Sequence, residues 1–320
     1  MNQNVSLILK GSDVIHSIYD KINAYYIHSR KISEEIHLVP RLDVIQVGDR
    51  PDSSLYVKLK KRRAEKMGFI CKIHNFPETV SQKELLLYIK NLNNNFKVNG
   101  ILVQMPLPEH IDHTLIIESI LPEKDVDGFH SVNVGKMIVD KSYSTNKLLN
   151  SYFLPCTAVA ILEIIDHYQL PVSGKDIVIV GASQVIGLPI SLLLLERGAT
   201  VQICHILTQN LKDKCKKADI IISATGCGHL IKSDYIGNNT ICIDVGICEQ
   251  EIYGKKKIIG DFDYTNIVNT KNCTAITPVP GGVGPITISV LMRHLLQAFI
   301  QQNQKNKTKF LSVNNVLSCF

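Results

Sequence analysis

An α/β protein of two domains is predicted by three features of the sequence. Strand, glycine-ended loop and helix recur along the chain, first at Pro40 to Met67 and again from Phe69 to Pro108. A second series opens with the all-apolar Ile177 to Val180 and a turn carrying Gly181 and Gly187. Between the two series, residues 140 to 152 are polar and patternless, which reads as a flexible loop close to a domain boundary. Strand-loop-helix units place their loops at the carboxyl edge of a parallel sheet, where ligands bind.

Composition narrows the function classes. The chain has 320 residues, 45% hydrophobic and 20% charged, enough for a sizeable core. A net charge of +6 comes from scattered lysines and arginines without interleaved aromatics, so nucleic acid is not implied and an anionic small molecule fits equally well. Nine cysteines without a C-x-x-C spacing indicate neither a disulfide framework nor a zinc site, and a reducing compartment follows. No metal is expected, because no H-E-x-x-H is present. No apolar run reaches the roughly 18 residues that span a bilayer, and residues 1 to 10 lack a signal pattern, so no membrane association is expected.

The chain opens with an apolar strand, Val5 to Leu9, a break at Gly11-Ser12, and a helix with Val14, Ile15, Ile18 and Ile22 on one side. Pro40 to Gly48 reads as a strand feeding a helix over Ser53 to Met67, with serines placed to cap its start. On that helix Tyr56 and Lys60 stand four apart and share a face. Tyr56 can offer a ring to a flat substrate, and a partly desolvated lysine amine, its pKa lowered, can act as acid, base or polarising cation. The bland alternative is a solvated basic face, since Lys61, Arg62, Arg63 and Lys66 follow.

Next come strand Phe69 to Phe76, helix Ser81 to Leu92, and the buried run Ile101 to Val103, which Pro106 and Pro108 forbid to continue. Gln104 therefore sits at a strand end, where it either satisfies the edge or hydrogen-bonds Lys60. After a helix near His113 to Ile120, the loop Lys124-Asp125-Val126-Asp127-Gly128 can present a carboxylate to a donor-rich heterocycle, or form an Asx-type turn.

In the second series, Thr157 is the expected cap of a helix over Ala158 to Tyr168. Strand, turn Gly181-Ala182-Ser183-Gln184-Val185-Ile186-Gly187 and helix Ile190 to Glu196 describe a phosphate-binding corner, with Ser183 where a glycine is usual. The following strand, Thr200 to Cys204, ends in His205, so the acid that grips the ribose of NAD is missing. Helix Leu211 to Lys217, strand Ile220 to Ala224 with Thr225-Gly226, and strand Thr240 to Asp244 with Val245-Gly246 continue the alternation. Thr277 to Pro285 is too rich in Gly and Pro for helix or strand and forms a stiff candidate wall for cofactor and substrate. An apolar helix, Ile288 to Gln301, leads to a tail, 302 to 320, expected to be disordered.

These stretches together resemble the bifunctional methylenetetrahydrofolate dehydrogenase/cyclohydrolase family over roughly residues 4 to 300. The resemblance rests on Ser53, Tyr56 and Lys60, Gly100 to Pro108, Lys124 to Phe129, Pro155-Cys156-Thr157, Gly181 to Pro189, Ile243 to Gly246, Gly260 to Asp263 and Thr277 to Pro285. It implies two α/β domains with a cleft between them, the second a Rossmann-like NAD(P)-binding domain. The folate-binding catalytic domain would be 1–153 with the returning helix 288–301, the cofactor domain 154–287, and the assembly a homodimer paired through the cofactor domains. It implies oxidation of 5,10-methylenetetrahydrofolate to the methenyl form and hydrolysis to 10-formyltetrahydrofolate, with tetrahydrofolate one-carbon derivatives as ligands.

The same resemblance assigns residues. Tyr56 would stack on the folate, Lys60 would serve the one-carbon chemistry, Gln104 would tune Lys60, and Asp127 would hold the pterin, with Pro280, Gly281 and Gly282 also touching substrate. The cofactor would meet Gly181, Ala182, Ser183, Ile186, Gly187, His205, Thr208, Ala224, Thr225, Gly226, Val245, Gly246 and Ile247. Ala182, Leu188 and Ile206 depart from the basic or hydroxyl residues frequent at those places, and Ala158 from a usual Pro. The expected cofactor is NADP with a weakened preference, NAD being possible, its 2'-phosphate held by His205, Thr208 and Lys212. A cytoplasmic location is expected, an organellar one left open. A dehydrogenase without the hydrolytic step and a non-catalytic binding homologue are the competing readings.

Overall fold

Short runs of Val, Ile and Leu closed by glycine form parallel strands here because both faces of such a strand are covered by helices. The computed structural model describes residues 6–32, 39–140, 143–145, 150–252 and 255–317. Its first elements are β1 (Leu7–Ile8), α1 (Gly11–Ile32), β2 (Arg41–Val47), α2 (Pro51–Lys66), β3 (Ile70–Phe76), α3 (Gln82–Asn94), β4 (Gly100–Val103), α4 (His113–Glu118) and α5 (Ser131–Val139). There follow α6 (Cys156–His167), β5 (Asp176–Val180), α7 (Gly187–Glu196), β6 (Thr200–Cys204), α8 (Leu211–Lys216) and β7 (Ile220–Ser223). The chain closes with β8 (Thr240–Asp244), β9 (Cys248–Ile252), β10 (Lys255–Ile259), α9 (Tyr264–Ile267), β11 (Cys273–Ile276) and α10 (Val283–Leu317).

Two compact α/β units result. One comprises Tyr19–Leu154 and Ile288–Phe320 and is built on a three-stranded parallel sheet of order β3-β2-β4. Its core joins Ile45 and Val47 of β2 and Ile101 and Val103 of β4 to Leu85 and Ile89 of α3, spaced one helical turn apart. Ser81 caps α3, its hydroxyl accepting from the Glu84 N–H at 3.2 Å. Within this unit α10 lies close to β4: a Cβ built on Gly100 would stand 2.8 Å from Val126 and 3.0 Å from Leu295. Gln297 Nε2 donates to the Asn150 carbonyl at 2.9 Å.

The other unit comprises Met1–Ile18 and Pro155–Thr287 and carries a six-stranded sheet of order β1-β11-β8-β7-β5-β6, parallel throughout. Val178, Val180, Ile221, Cys242, Phe262 and Ile276 are among its buried core residues. A separate antiparallel hairpin, β9 with β10, has no counterpart in the sequence reading.

Several expectations need correction. Residues up to Ile18 join the six-stranded unit and not the 1–153 domain, because β1 pairs in parallel with β11, Leu7 opposite Ala275 and Ile8 opposite Ile276. The tail expected to be disordered is helical as far as Leu317, and its last three residues lie outside those described. Helix α10 also starts at Val283, inside the segment read as neither helix nor strand. Its stretch Val283–Gln304 is long and apolar enough to cross a membrane by length and composition, yet 78% of that window is buried within the protein, as in a core helix. Helix α2 starts at Pro51, so Ser53 and Ser54 lie inside it and Arg50 holds the cap position without capping the helix through its side chain. Likewise Pro155, not Thr157, stands at the cap of α6. Of the loop read as flexible, Lys141, Ser142 and residues 146–149 lie outside those described, while Thr145, Asn150 and Tyr152 are buried.

Two glycines give opposite expectations. Gly100→Ala forces a methyl against Val126 and Leu295 and should lower stability by about 1–3 kcal/mol. Gly135, exposed in α5 with nothing near its Cβ position, should stabilise the helix by about 0.5–1 kcal/mol when changed to Ala. Urea unfolding of both variants checks the pair.

Candidate active site

In the three-stranded sheet the strand order reverses at β2, and ligands gather at the carboxyl ends of strands beside such a switch point. Gln104 lies there, one residue past β4, its N–H donating to the Ile45 carbonyl of β2 at 2.8 Å. Its side-chain Nε2 donates to the Met105 carbonyl at 2.9 Å, which leaves Oε1 as the atom that faces Lys60. Lys60 Nζ donates to that oxygen at 2.8 Å. The structure thus brings the lysine of α2 to the strand-end glutamine across 44 residues of sequence. Tyr56 and Lys60 are both half-buried, and burial pushes the Tyr56 phenol above its usual value, so it stays neutral at physiological pH.

Asp127 follows a parallel bridge between Ile101 and Asp125, so it extends from the sheet in the same direction as Val103 and Gln104. Two residues that the sequence reading left without a role build its loop. Lys124 Nζ, its pKa lowered by burial, donates to the carbonyls of Leu92, Asn93 and Asn95 at 3.2, 2.7 and 2.9 Å, closing the end of α3. Asp125 is buried and accepts from the Gly128 and His130 N–H groups at 3.1 and 2.8 Å and from Asn133 Nδ2 at 2.9 Å. Burial raises its carboxyl pKa against the pull of those bonds. Asp127, between these anchors, is half-buried.

The second group of candidates belongs to the six-stranded unit. There the order reverses at β5, and every predicted cofactor residue follows the carboxyl end of one of the adjacent strands β8, β7, β5 and β6. Gly181 has φ +120°, and a Cβ on it would lie 2.5 Å from the Ala224 carbonyl oxygen. A Cβ on Gly187 would lie 1.8 Å from the Gly181 oxygen. The turn is therefore pressed against both the next strand and the start of α7, the close approach that a pyrophosphate-binding corner needs. Ser183 Oγ accepts from the Ile186 N–H at 3.2 Å, so its own proton is available to a phosphate.

At the end of β6, the His205 N–H donates to Thr208 Oγ1 at 2.9 Å and the Leu207 N–H to His205 Nδ1 at 3.2 Å. Those bonds leave the exposed His205 ring with its Nε2 as donor. Lys212, expected to reach the 2'-phosphate, is paired with Asp234 on the exposed surface. Ala224 and Thr225 are half-exposed and Gly226 exposed, Gly246 is buried between half-exposed Val245 and exposed Ile247. Pro280 is exposed and Gly281 half-exposed with φ +107°; the Gly281 carbonyl accepts from the Gly11 N–H at 2.8 Å, and a Cβ on Gly11 would lie 2.2 Å from the Gly282 oxygen. This loop is held by the start of α1.

Sequence reasoning missed two carboxylates beneath this edge. Asp244 Oδ1 accepts from the Gly246 and Asp261 N–H groups at 3.1 and 3.0 Å, and Oδ2 from the Phe262 N–H at 2.9 Å. Asp261 Oδ2 accepts from Ser223 Oγ and the Thr225 N–H, both at 2.7 Å, and from Thr225 Oγ1 at 2.8 Å. The acid-glycine pairs Asp244-Val-Gly246 and Gly260-Asp261 were the available signal.

A lysine oriented by an amide in one unit, and a glycine-lined dinucleotide corner in the other, define an enzyme that joins redox chemistry to proton transfer. Residues 9–127 match the family described as tetrahydrofolate dehydrogenase/cyclohydrolase, catalytic domain, and residues 155–303 match its NAD(P)-binding domain. The bifunctional protein FolD of Aquifex aeolicus is 43% identical over 295 residues, 92% of this chain and 96% of that protein. A crystal structure of the bifunctional FolD enzyme of Campylobacter jejuni has a TM-score of 0.81 at 39% identity, over 92% of this chain and 98% of that one. The Trypanosoma brucei dehydrogenase-cyclohydrolase, solved with NADP and an inhibitor, has a TM-score of 0.85 at 31% identity, over 93% of this chain and 98% of that one. The chain belongs to the tetrahydrofolate dehydrogenase/cyclohydrolase family.

Asp244 sets a pH dependence. Burial, aided by the charge of Asp261, raises its pKa from 3.8 to about 7 against its three N–H bonds. A carboxyl whose folded pKa is raised contributes stability that is full below the unfolded pKa and is lost as pH rises through the folded one. Asp244→Asn, neutral at all pH, should therefore gain on the wild type between about pH 4 and about pH 7 in urea unfolding. A pH-independent difference between the two contradicts the raised pKa.

Proposed function

We infer that this chain oxidises 5,10-methylenetetrahydrofolate to the methenyl form at the expense of a nicotinamide dinucleotide and hydrolyses the product to 10-formyltetrahydrofolate. The observation that carries the residue assignment is the Lys60–Gln104 hydrogen bond, with the amide turned by Met105 so that its oxygen meets the amine. A bound nicotinamide would supply the acceptor for the hydride, two electrons and one proton, that leaves the methylene carbon. The chain's own residues do the rest. Tyr56, neutral and half-buried, presents its ring to the flat part of the folate. Asp127 accepts paired hydrogen bonds from the amino-pyrimidine edge, each worth about 1.5–3 kcal/mol when the acceptor is charged.

In the hydrolytic step, water adds its oxygen to the methenyl carbon and gives a proton to the Lys60 amine. That proton returns to N5 as the C–N5 bond breaks, the hydroxyl proton departs to solvent, and the formyl group stays on N10. Gln104 Oε1 holds the amine at one place while it takes and returns the proton, which is the entropic advantage of a positioned acid-base group.

The family's NAD(P)-binding domain is present, and NADP is the cofactor we propose. Gly181, Ala182, Ser183, Ile186 and Gly187 would hold its pyrophosphate, Ala224 to Gly226 and Val245 to Ile247 its nicotinamide half, and His205 and Thr208 its 2'-phosphate. Support comes from the clustering of all of these at one sheet edge and from the outward His205 Nε2. The rigid loop Pro280-Gly281-Gly282 offers its backbone to substrate. We also propose a homodimer paired through edge strand β6, whose Val201 and Ile203 remain half-exposed, readable by sedimentation.

Lys60→Met should lower methenyl hydrolysis by about 100-fold or more with unchanged folding, measured by loss of methenyl absorbance and by circular dichroism. Full activity in that variant contradicts the assignment. His205→Ala should raise the KM for NADP more than that for NAD; an equal response places the 2'-phosphate elsewhere.

A further inference from the structure

Three loops of the six-stranded unit, Ser223 to Gly226, Asp244 to Ile247 and Gly260 to Phe262, are tied together by two acids with no part in the reaction steps above. Asp261 is 0% exposed, and Ser223, which donates to it, is also 0% exposed. Through Oδ2 it holds the Thr225 N–H at 2.7 Å and the Thr225 hydroxyl at 2.8 Å, so the turn that precedes Gly226 takes its place from this carboxylate. Its Oδ1 has no hydrogen-bond partner among the described residues and occupies the space where Gly246 would carry a Cβ, 1.9 Å from that position. Asp244 in turn holds the Asp261 and Phe262 N–H groups, and its Oδ2 stands 2.0 Å from where Gly260 would carry a Cβ.

A buried carboxylate with one orphaned oxygen is costly, and a hydrophobic core would be cheaper for stability alone. Its placement is informative: Thr225, Gly226, Val245, Gly246 and Ile247, the cofactor candidates of β7 and β8, all lie on loops that these acids hold or abut. We propose that Asp261 is a positioning residue for the nicotinamide cofactor, its two oxygens fixing the spacing between the Thr225-Gly226 turn and the Gly246 loop. The inference rests on the reading of those loops as cofactor-contacting. Asp261 itself does not touch the cofactor; it acts through Ser223, Thr225 and Gly246.

The test uses the full chain, with NADP binding by calorimetry beside both activities. Methenyl hydrolysis consumes no dinucleotide, so it reports whether the fold and the Lys60 site survive. Asp261→Ala should weaken NADP binding by about tenfold or more and raise the KM for NADP, with hydrolysis within about twofold of wild type. Asp261→Asn, which keeps one acceptor oxygen toward Thr225, should recover most of the affinity. Unchanged NADP affinity in Asp261→Ala overturns the proposal, as does a parallel loss of binding, hydrolysis and stability, which marks a structural role only. If Asp261→Ala does not fold, Ser223→Ala removes one bond to the same carboxylate and should weaken NADP by about threefold or more; unchanged affinity there overturns the proposal. A wild-type chain that binds neither NADP nor NAD overturns the underlying cofactor reading, a result distinct from a loss confined to the variants.

Discussion

A lysine amine that is to take and return a proton at one atom has to be held in place, and in this chain the amide of Gln104 accepts a hydrogen bond from the Lys60 amine. The amide cannot turn freely, because its nitrogen is committed to the Met105 carbonyl and its oxygen is left for Lys60 at 2.8 Å. Behind it the backbone of Gln104 is pinned to β2 through Ile45, so the acceptor stands on the sheet and not on a mobile loop. The order β3-β2-β4 supplies the rest: reversal at β2 brings the end of β4 beside the helix that follows β2. Changing the register of β4 by one residue would turn Gln104 to the other face and remove the contact.

The same logic of strand ends shapes the six-stranded unit. Its tight turn at Gly181 brings backbone close to the end of β7 and the start of α7, and its buried acids set the distance between neighbouring loops. Both depend on positions without a Cβ, and the acids bring in buried polar atoms that are hydrogen-bonded except at Asp261 Oδ1. A dinucleotide corner and a proton-transfer group can then be tuned separately, since each is built by its own sheet.

Much of this was legible in the sequence where the cause is local. Four-residue spacing on a helix puts Tyr56 and Lys60 on one face, and prolines after Val103 stop β4 at Gln104, so that pair of elements follows from neighbours in the chain. The contact between Lys60 and Gln104 was left open by the residues and is settled by the sheet order. What escaped has non-local causes. β1 belongs with β11, near the far end of the chain, and nothing in Val5 to Leu9 announces a partner at Cys273–Ile276. Lys124, Asp125, Asp244 and Asp261 carry no sign in the sequence of what they bind, because the carbonyls and N–H groups that meet them come from other elements. The caps of α2 and α6 were misassigned because proline at the start of a helix competes with serine and threonine as a signal. The extent of α10 escaped because its polar second half carries no amphipathic pattern.

The central claim, that the Gln104 amide makes Lys60 effective by holding its amine in place, is tested most directly by the hydrolysis kinetics of Gln104→Leu, which keeps the size of the side chain and removes the acceptor. The account predicts that kcat for methenyl hydrolysis falls by about 100-fold while the KM for the methenyl substrate stays within about twofold. A variant that hydrolyses its substrate at the wild-type kcat would contradict it.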